Sequence, residues 1–300
     1  MAAMRCSVLV PLLCAVALAA AGCSGGGSGR SANGRLEVVA GENFWGNLAE
    51  QIGGAHVDVT SLITNPDADP HLFEPGTSNG LAVATAAVVI VNGAGYDPFM
   101  DRLLAASPSS KRTVVRVSDV LHVTGSDPNP HLWYDAPRLA IVVKAIAAAL
   151  STADPANATA YRTGAVQTIA ALQPLENAVK ALKATDAGDP VAYTERVPGY
   201  LLAAAGLPVL TPTGFARSIE AGGEPSASDE AAMRELITGH RIKALIYNEQ
   251  ATSPITAQLQ ALAKVDQIPV VPVTETMPSA DSFESWQLGQ VKAITAALAS

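Results

Sequence analysis

The 300-residue chain has three cysteines, and all of them fall before residue 24. The body after Cys23 has no thiol, which excludes a disulfide framework and any zinc–thiolate cluster there. Basic residues are also scarce: 19 Lys and Arg stand against 27 Asp and Glu, for a formal charge of −8. That balance argues against nucleic acid as a partner, and there is no basic cluster to hold a phosphate group. No HExxH helix and no GxSxG elbow occur, so the signatures of zinc proteases and of α/β-hydrolases are missing. Charged residues are only 15% of the chain and apolar residues 49%, which is ample for buried cores and excludes a disordered chain. A length of 300 residues suggests two domains.

The N-terminus is a targeting segment. Arg5 precedes an apolar run from Ser7 to Gly22, too short for a comfortable membrane span. The run ends in "LAAAGC", small residues before Cys23, which resembles a bacterial lipobox. Residues 1–22 are therefore expected to leave as a lipoprotein signal peptide, with Cys23 lipidated and holding the protein to the outside of the cell membrane. The alternative is an ordinary signal peptide followed by a chance cysteine. The stretch "SGGGSGRSANG" has the composition of a flexible linker, and residues 23–35 read as a tether.

From Leu36 onward, short apolar runs alternate with amphipathic segments. Strands are expected at 36–40, 57–63, 86–93 and 113–117, with helices at 44–54 and 97–106. The run "AAVVIVNG" is continuously apolar, as a strand buried on both faces is. From Ala136 to about Leu182 the chain is Ala-rich and helical, with a break near "STADPAN" where Asp154 and Pro155 read as a helix start. Residues 156–184 form one long helical stretch in which Pro174 is expected to introduce a kink. The alternation then resumes, with strands at 191–194, 207–212, 242–248 and 269–274. The helices between and after them fall at 199–206, 228–241 (capped by Ser228), 253–265 and 282–299. The fold class is α/β: two three-layer lobes with parallel sheets joined by a long connecting helix. The boundaries are 36–152 for the N-terminal lobe, 153–186 for the connector and 187–300 for the C-terminal lobe.

Two of the five histidines sit in nearly the same phrase: "DADPHLFEP" around His71 and "DPNPHLWYD" around His131. Each falls in a loop after a strand, where open α/β sheets bind ligands. The preceding proline stiffens the loop, and imidazole is the commonest metal ligand among side chains. Two such loops on one rim can converge on one ion. His56, His122 and His240 read as structural or solvated. The second lobe offers three acidic candidates at the carboxyl ends of apolar strands: Glu195, Glu249 and Glu275. Asp135 and Glu74, close to the histidines in sequence, are candidates to orient an imidazole. Trp133 reads as a core anchor rather than a ligand platform.

These residues carry a resemblance to the bacterial metal-binding lipoproteins that serve zinc and manganese ABC importers, the cluster A-I solute-binding proteins. It spans Leu36 to the C-terminus and is most specific over residues 59–104. The family's "P-x-x-D-P-H-x-[FY]-[ED]-P" loop falls on His71, and its "D-P-H-x-W" loop falls on His131. Its third ligand falls on Glu195 in "TERVPGYLLAAAGL", and its fourth, usually Asp, on Glu275 in "VPVTETMP". The same alignment makes Glu249 structural, although it remains the rival to Glu275. The His-rich loop of many zinc receptors is absent between His71 and His131.

The resemblance implies a monomeric, non-enzymatic receptor. It would capture one divalent transition metal ion with His71, His131, Glu195 and Glu275 and deliver it to an ABC permease and its ATPase. Two carboxylates neutralise a dication and favour a harder ion, which places Mn²⁺ slightly ahead of Zn²⁺, with Fe²⁺ also admitted. Three rival readings stay open. A secreted metallohydrolase could use two His and a carboxylate, but needs an open coordination position and a general base. A receptor for an organic solute would want aromatic platforms and an Arg clamp, both sparse here. A role in cell adhesion has no sequence signature.

Overall fold

The computed structural model describes residues 29–299. The expected signal peptide and Cys23 lie outside the described residues. The N-terminal lobe is built from β1 (Leu36–Glu42), α1 (Asn43–Gly53), β2 (Val57–Ile63), α2 (Thr77–Thr85), β3 (Val88–Val91), α3 (Pro98–Ala106), β4 (Thr113–Arg116) and the short α4 (Val117–Val120). Its strands run parallel in the order β2-β1-β3-β4. Because side chains alternate across a strand, successive β1 residues serve opposite faces. Val38 and Ala40 join a core with α1, while Val39 joins Val83, Phe99 and Met100 beneath α2 and α3. That is a three-layer lobe.

Two helices follow, α5 (Leu139–Ala153) and α6 (Ala158–Asp186). At 29 residues α6 is about 44 Å long, enough to reach from one lobe to the other. It runs unbroken through Pro174 as a single helical element. The second lobe contains β5 (Val191–Tyr193), α7 (Gly199–Ala204), α8 (Thr213–Glu220), α9 (Ala227–Thr238), β6 (Ala244–Asn248), α10 (Pro254–Val265), β7 (Val270–Val273) and α11 (Phe283–Leu298). The sheet β5-β6-β7 is parallel. Leu245 faces Phe215, Met233 and Leu259 on one side, and Ile246 faces the α11 side with Val291 and Ile294.

One apolar body serves both lobes. Val38 and Ile90 of the first sheet share a continuous core with Val191 and Val273 of the second, through Leu172, Leu175 and Val179 of α6. Polar contacts reinforce the seam. Asn43 Nδ2 donates to the Met277 carbonyl at 2.7 Å, and Tyr134 Oη donates to the Thr274 carbonyl at 2.7 Å.

Several local expectations differ from the structure. Residues 207–212 make only a bridge, with Val209 beside Val191; Pro208 and Pro212 cannot donate to a ladder. The α9 cap is Ser226, whose hydroxyl accepts from Asp229 N, and not Ser228. Asp154 and Pro155 do start a helical turn, Pro155–Asn157, as expected, but the Asp154 carboxylate accepts from the Asn157, Tyr161 and Arg30 side chains, the last at 2.8 Å, and not from a backbone N–H. Arg30 also bridges to Leu36, and the Gly29 carbonyl accepts from Glu37 N. Residues 29–35, read from sequence as the end of a free tether, are thus held against the lobe.

Candidate metal centre

The parallel strands of both sheets end at the seam between the lobes, and the loops that leave them carry the candidate donors. His71 lies in a tight 3-10 turn, Pro70–Leu72, whose Asp69 side chain accepts from His71 N at 2.9 Å. His131 directly precedes a second such turn, Leu132–Tyr134. Glu195 and Glu275 lie just past β5 and β7. His131, Glu195 and Glu275 are buried, while the His71 side chain keeps 25% of its surface open to solvent.

Both imidazoles converge on one oxygen. His71 Nε2 lies 3.4 Å and His131 Nε2 3.2 Å from Glu275 Oε2. Donor atoms of these three residues all fall within 4.8 Å of one another. A tetrahedral ion with bonds of about 2.1 Å separates its donors by about 3.4 Å, so these spacings suit a shared cation. Tyr96 Oη also donates to Glu275 Oε2, at 3.1 Å.

Glu195 stands outside that tight group but is tied to it. Asn248 Nδ2 donates to Glu195 Oε2 in a close contact and to Glu275 Oε1 at 2.7 Å. The remaining oxygen, Glu195 Oε1, is buried without a hydrogen-bond partner. A buried, unpartnered carboxylate oxygen is costly unless something positive completes it.

The protonation states express that deficit. Burial and the charge of Glu275 push the Glu195 carboxyl up to about 8, against the Asn248 hydrogen bond. Burial would lower His71, but the hydrogen bond and charge of Glu275 outweigh it and raise the imidazole to about 9. Burial would raise Glu275, yet contacts with the His131 and His71 rings hold it well below the usual carboxylate range. Protons thus take the place of positive charge among four closely set groups.

The imidazole of His131 is oriented by an amide. Asn129 Nδ2 donates to the Arg196 carbonyl at 2.8 Å, which turns Asn129 Oδ1 toward His131 Nδ1 at 2.7 Å. Nδ1 must therefore carry a hydrogen, and Nε2 is left as the donor atom. Sequence reasoning had offered Asp135 and Glu74 for this task. Asp135 pairs with Arg138 instead, and Glu74 is exposed. Glu249, the rival to Glu275, is exposed as well. Trp133 is fully buried, stacked on Phe44 at 4.2 Å between ring centres, and is a core anchor. At the mouth, beside His71, a cavity of about 430 Å³ is lined by Asp127, Arg196, Arg217 and Glu220. Asp127 from the first lobe pairs there with Arg196 of the second at 3.1 Å and also with Arg217.

A two-lobed parallel α/β body with its polar donors turned inward at the seam has the build of a substrate-binding protein. Residues 38–297 match the family model ZnuA, zinc-uptake complex component A, periplasmic, and the chain belongs to that family. It is similar to the manganese-binding lipoprotein MntA of Bacillus subtilis, with 31% identity over 169 residues that cover 54% of each chain. It is also similar to a manganese-binding lipoprotein MntA from Halalkalibacterium halodurans, with 34% identity over 166 residues, again 54% of each chain. In these matches the chain spans about half the length of the curated relatives. The fold is that of the periplasmic zinc-binding protein TroA from Treponema pallidum, with a TM-score of 0.74 and 19% identity over 87% of this chain and 98% of that one.

Proposed function

We propose that the protein captures one divalent first-row transition metal ion, manganese or zinc, between its lobes and passes it to an ABC importer. The ligands in this reading are His71 Nε2, His131 Nε2, Glu195 and Glu275. The observation that carries it is the approach of both Nε2 atoms to the same Glu275 oxygen, at 3.4 and 3.2 Å. Two carboxylates and two neutral imidazoles balance a dication, which lowers the cost of burying it. All four ligands in this reading come from the protein, whereas a catalytic zinc keeps one position for water, so capture fits better than hydrolysis. The family's zinc-uptake description and the manganese-binding names of the relatives support the two candidate ions. In the same reading Cys23 carries the lipid, the body is a monomer outside the membrane, and the permease with its ATPase is the partner.

Elemental analysis of the purified protein, after loading with equimolar Mn²⁺ and Zn²⁺, tests the reading. One ion per chain is expected, and none in His131→Ala with the fold intact by circular dichroism. A full complement of metal in that variant refutes the ligand set.

A further inference from the structure

Asn248 closes β6 and is almost fully buried. Four hydrogen bonds fix it. Its backbone N–H donates to Thr194 Oγ1 at 3.1 Å, and its Oδ1 accepts from Gln250 N at 3.1 Å. Its Nδ2 donates to Glu195 Oε2 and Glu275 Oε1. The amide cannot be turned over. With Oδ1 facing the carboxylates, it would meet the ionised Glu275, acceptor against acceptor, and the Gln250 N–H would face a donor. Both amide hydrogens are therefore committed, one to each carboxylate.

This has a consequence for any ion held there. Each carboxylate keeps one oxygen on Asn248: Glu275 leaves Oε2 to the imidazoles and the Tyr96 hydroxyl, and Glu195 leaves Oε1 buried with no hydrogen-bond partner among the described residues. A carboxylate with one oxygen drawn toward a strong donor is biased toward binding a metal through the other. To bind through both, it must swing the held oxygen toward the ion, which stretches that hydrogen bond inside a buried site, where a weakened bond is costly. The shell is thereby biased toward four donor atoms, two nitrogen and two oxygen. Four-coordinate, roughly tetrahedral shells suit Zn²⁺, whereas Mn²⁺ takes a larger, oxygen-rich shell.

We propose that Asn248 is a positioning residue that holds Glu195 and Glu275 to one-oxygen ligation and so tilts the site toward zinc over manganese. The inference rests on the ligand set proposed above and names what selects among its ions. It also reverses the balance drawn from carboxylate count alone, which counted the acids and not the oxygens left free.

The test compares wild type with Asn248→Leu, which keeps the branched shape and removes both donors along with the Gln250 acceptor. Asn248→Ser, whose single hydroxyl can hold only one carboxylate, serves as the graded second variant. Competition titrations with Zn²⁺ and Mn²⁺ give the ratio of dissociation constants, and X-ray absorption of the zinc-loaded proteins gives the coordination number. In wild type, zinc should show four N/O neighbours. In Asn248→Leu, zinc affinity should fall by about 10–100-fold, as is common for lost outer hydrogen bonds to ligands. Manganese should lose markedly less, because each freed carboxylate can then offer a second oxygen. The zinc-to-manganese preference should therefore shrink at least several-fold, with Asn248→Ser between the two. Equal losses for both ions, or an unchanged ratio, in whichever variants fold, overturn the role of Asn248 while leaving the ligand set standing. So does a wild-type zinc shell of five or six. A wild type that binds neither ion overturns both readings.

Discussion

Asn129 Oδ1 accepts from the His131 ring at 2.7 Å, and that amide oxygen dictates which imidazole nitrogen is free. Replacing Asn129 by Ala removes the acceptor and lets the ring rotate or change tautomer. Metal affinity should fall by about 10–100-fold with little change in stability of the metal-free protein. Isothermal titration with Zn²⁺ measures the first effect and thermal melting the second. An unchanged affinity would mean that the ring is held by packing against Tyr96 and Trp133 alone.

The raised pKa values make the metal-free protein sensitive to alkali. His71 is raised to about 9, Glu195 to about 8 and the buried Asp97 to about 6, each above its ordinary value. Between pH 5 and pH 9 the folded state therefore binds more protons than the unfolded chain, and stability falls as pH rises. For His71, the stabilisation is complete below the unfolded pKa and is lost as pH climbs through about 9. For the two acids, the folded state grows less favourable from the unfolded carboxylate range up to their folded values. Melting curves without metal should move to lower temperature across that window, while metal-loaded protein should lose far less. A flat profile for the metal-free protein would contradict the charge assignments.

The same groups predict proton release on loading. At pH 7, His71 and Glu195 are both largely protonated in the metal-free protein, and each must lose its proton to ligate. Titration of Zn²⁺ into weakly buffered protein should release protons, and apparent affinity should strengthen as pH rises from 6 toward 9. Metal uptake with no proton release at pH 7 would mean that these two residues have already lost their protons before the ion arrives.

Gly164 of α6 meets α1 at its closest approach: a Cβ there would lie 2.2 Å from the Ile52 carbonyl oxygen. The obstacle is backbone, so the helices must part. Gly164→Ala should cost about 1–3 kcal/mol through overpacking, read as a lower denaturation midpoint in urea. Gly80→Ala, with only the tip of Leu103 at 3.9 Å, should be near neutral and serves as control.

The pair of Pro-His phrases was legible because a stiff turn after a strand is a local pattern, and His71 and His131 do meet at Glu275. The acids at strand ends followed from the same rule, as could Tyr96, which stands a few residues past β3 and donates to Glu275. Asn129 was legible and overlooked: it stands two residues before His131, as Asp69 does before His71. Asn248 left no trace, because it acquires its role from partners far away in the chain. Asn248 touches residues 53 and 27 positions distant. Proximity in sequence misled for Asp135, which found Arg138 a turn away. The helix Thr77–Thr85 was missed because Thr, Ser, Asn and Gly are weak helix formers; it is held by Val83 packed under the sheet. The bare bridge at Val209 shows prolines overriding an apolar run.

Because a single oily interior spans both halves, prising them apart would wet side chains from Val38 to Val291. In the proposed reading an ion would not leave through a yawning jaw. Of the four proposed ligands, only the one on the Pro70–Leu72 turn already touches water. On that reading a docking importer would need to tug at little more than that one short corner of chain to let the cargo go.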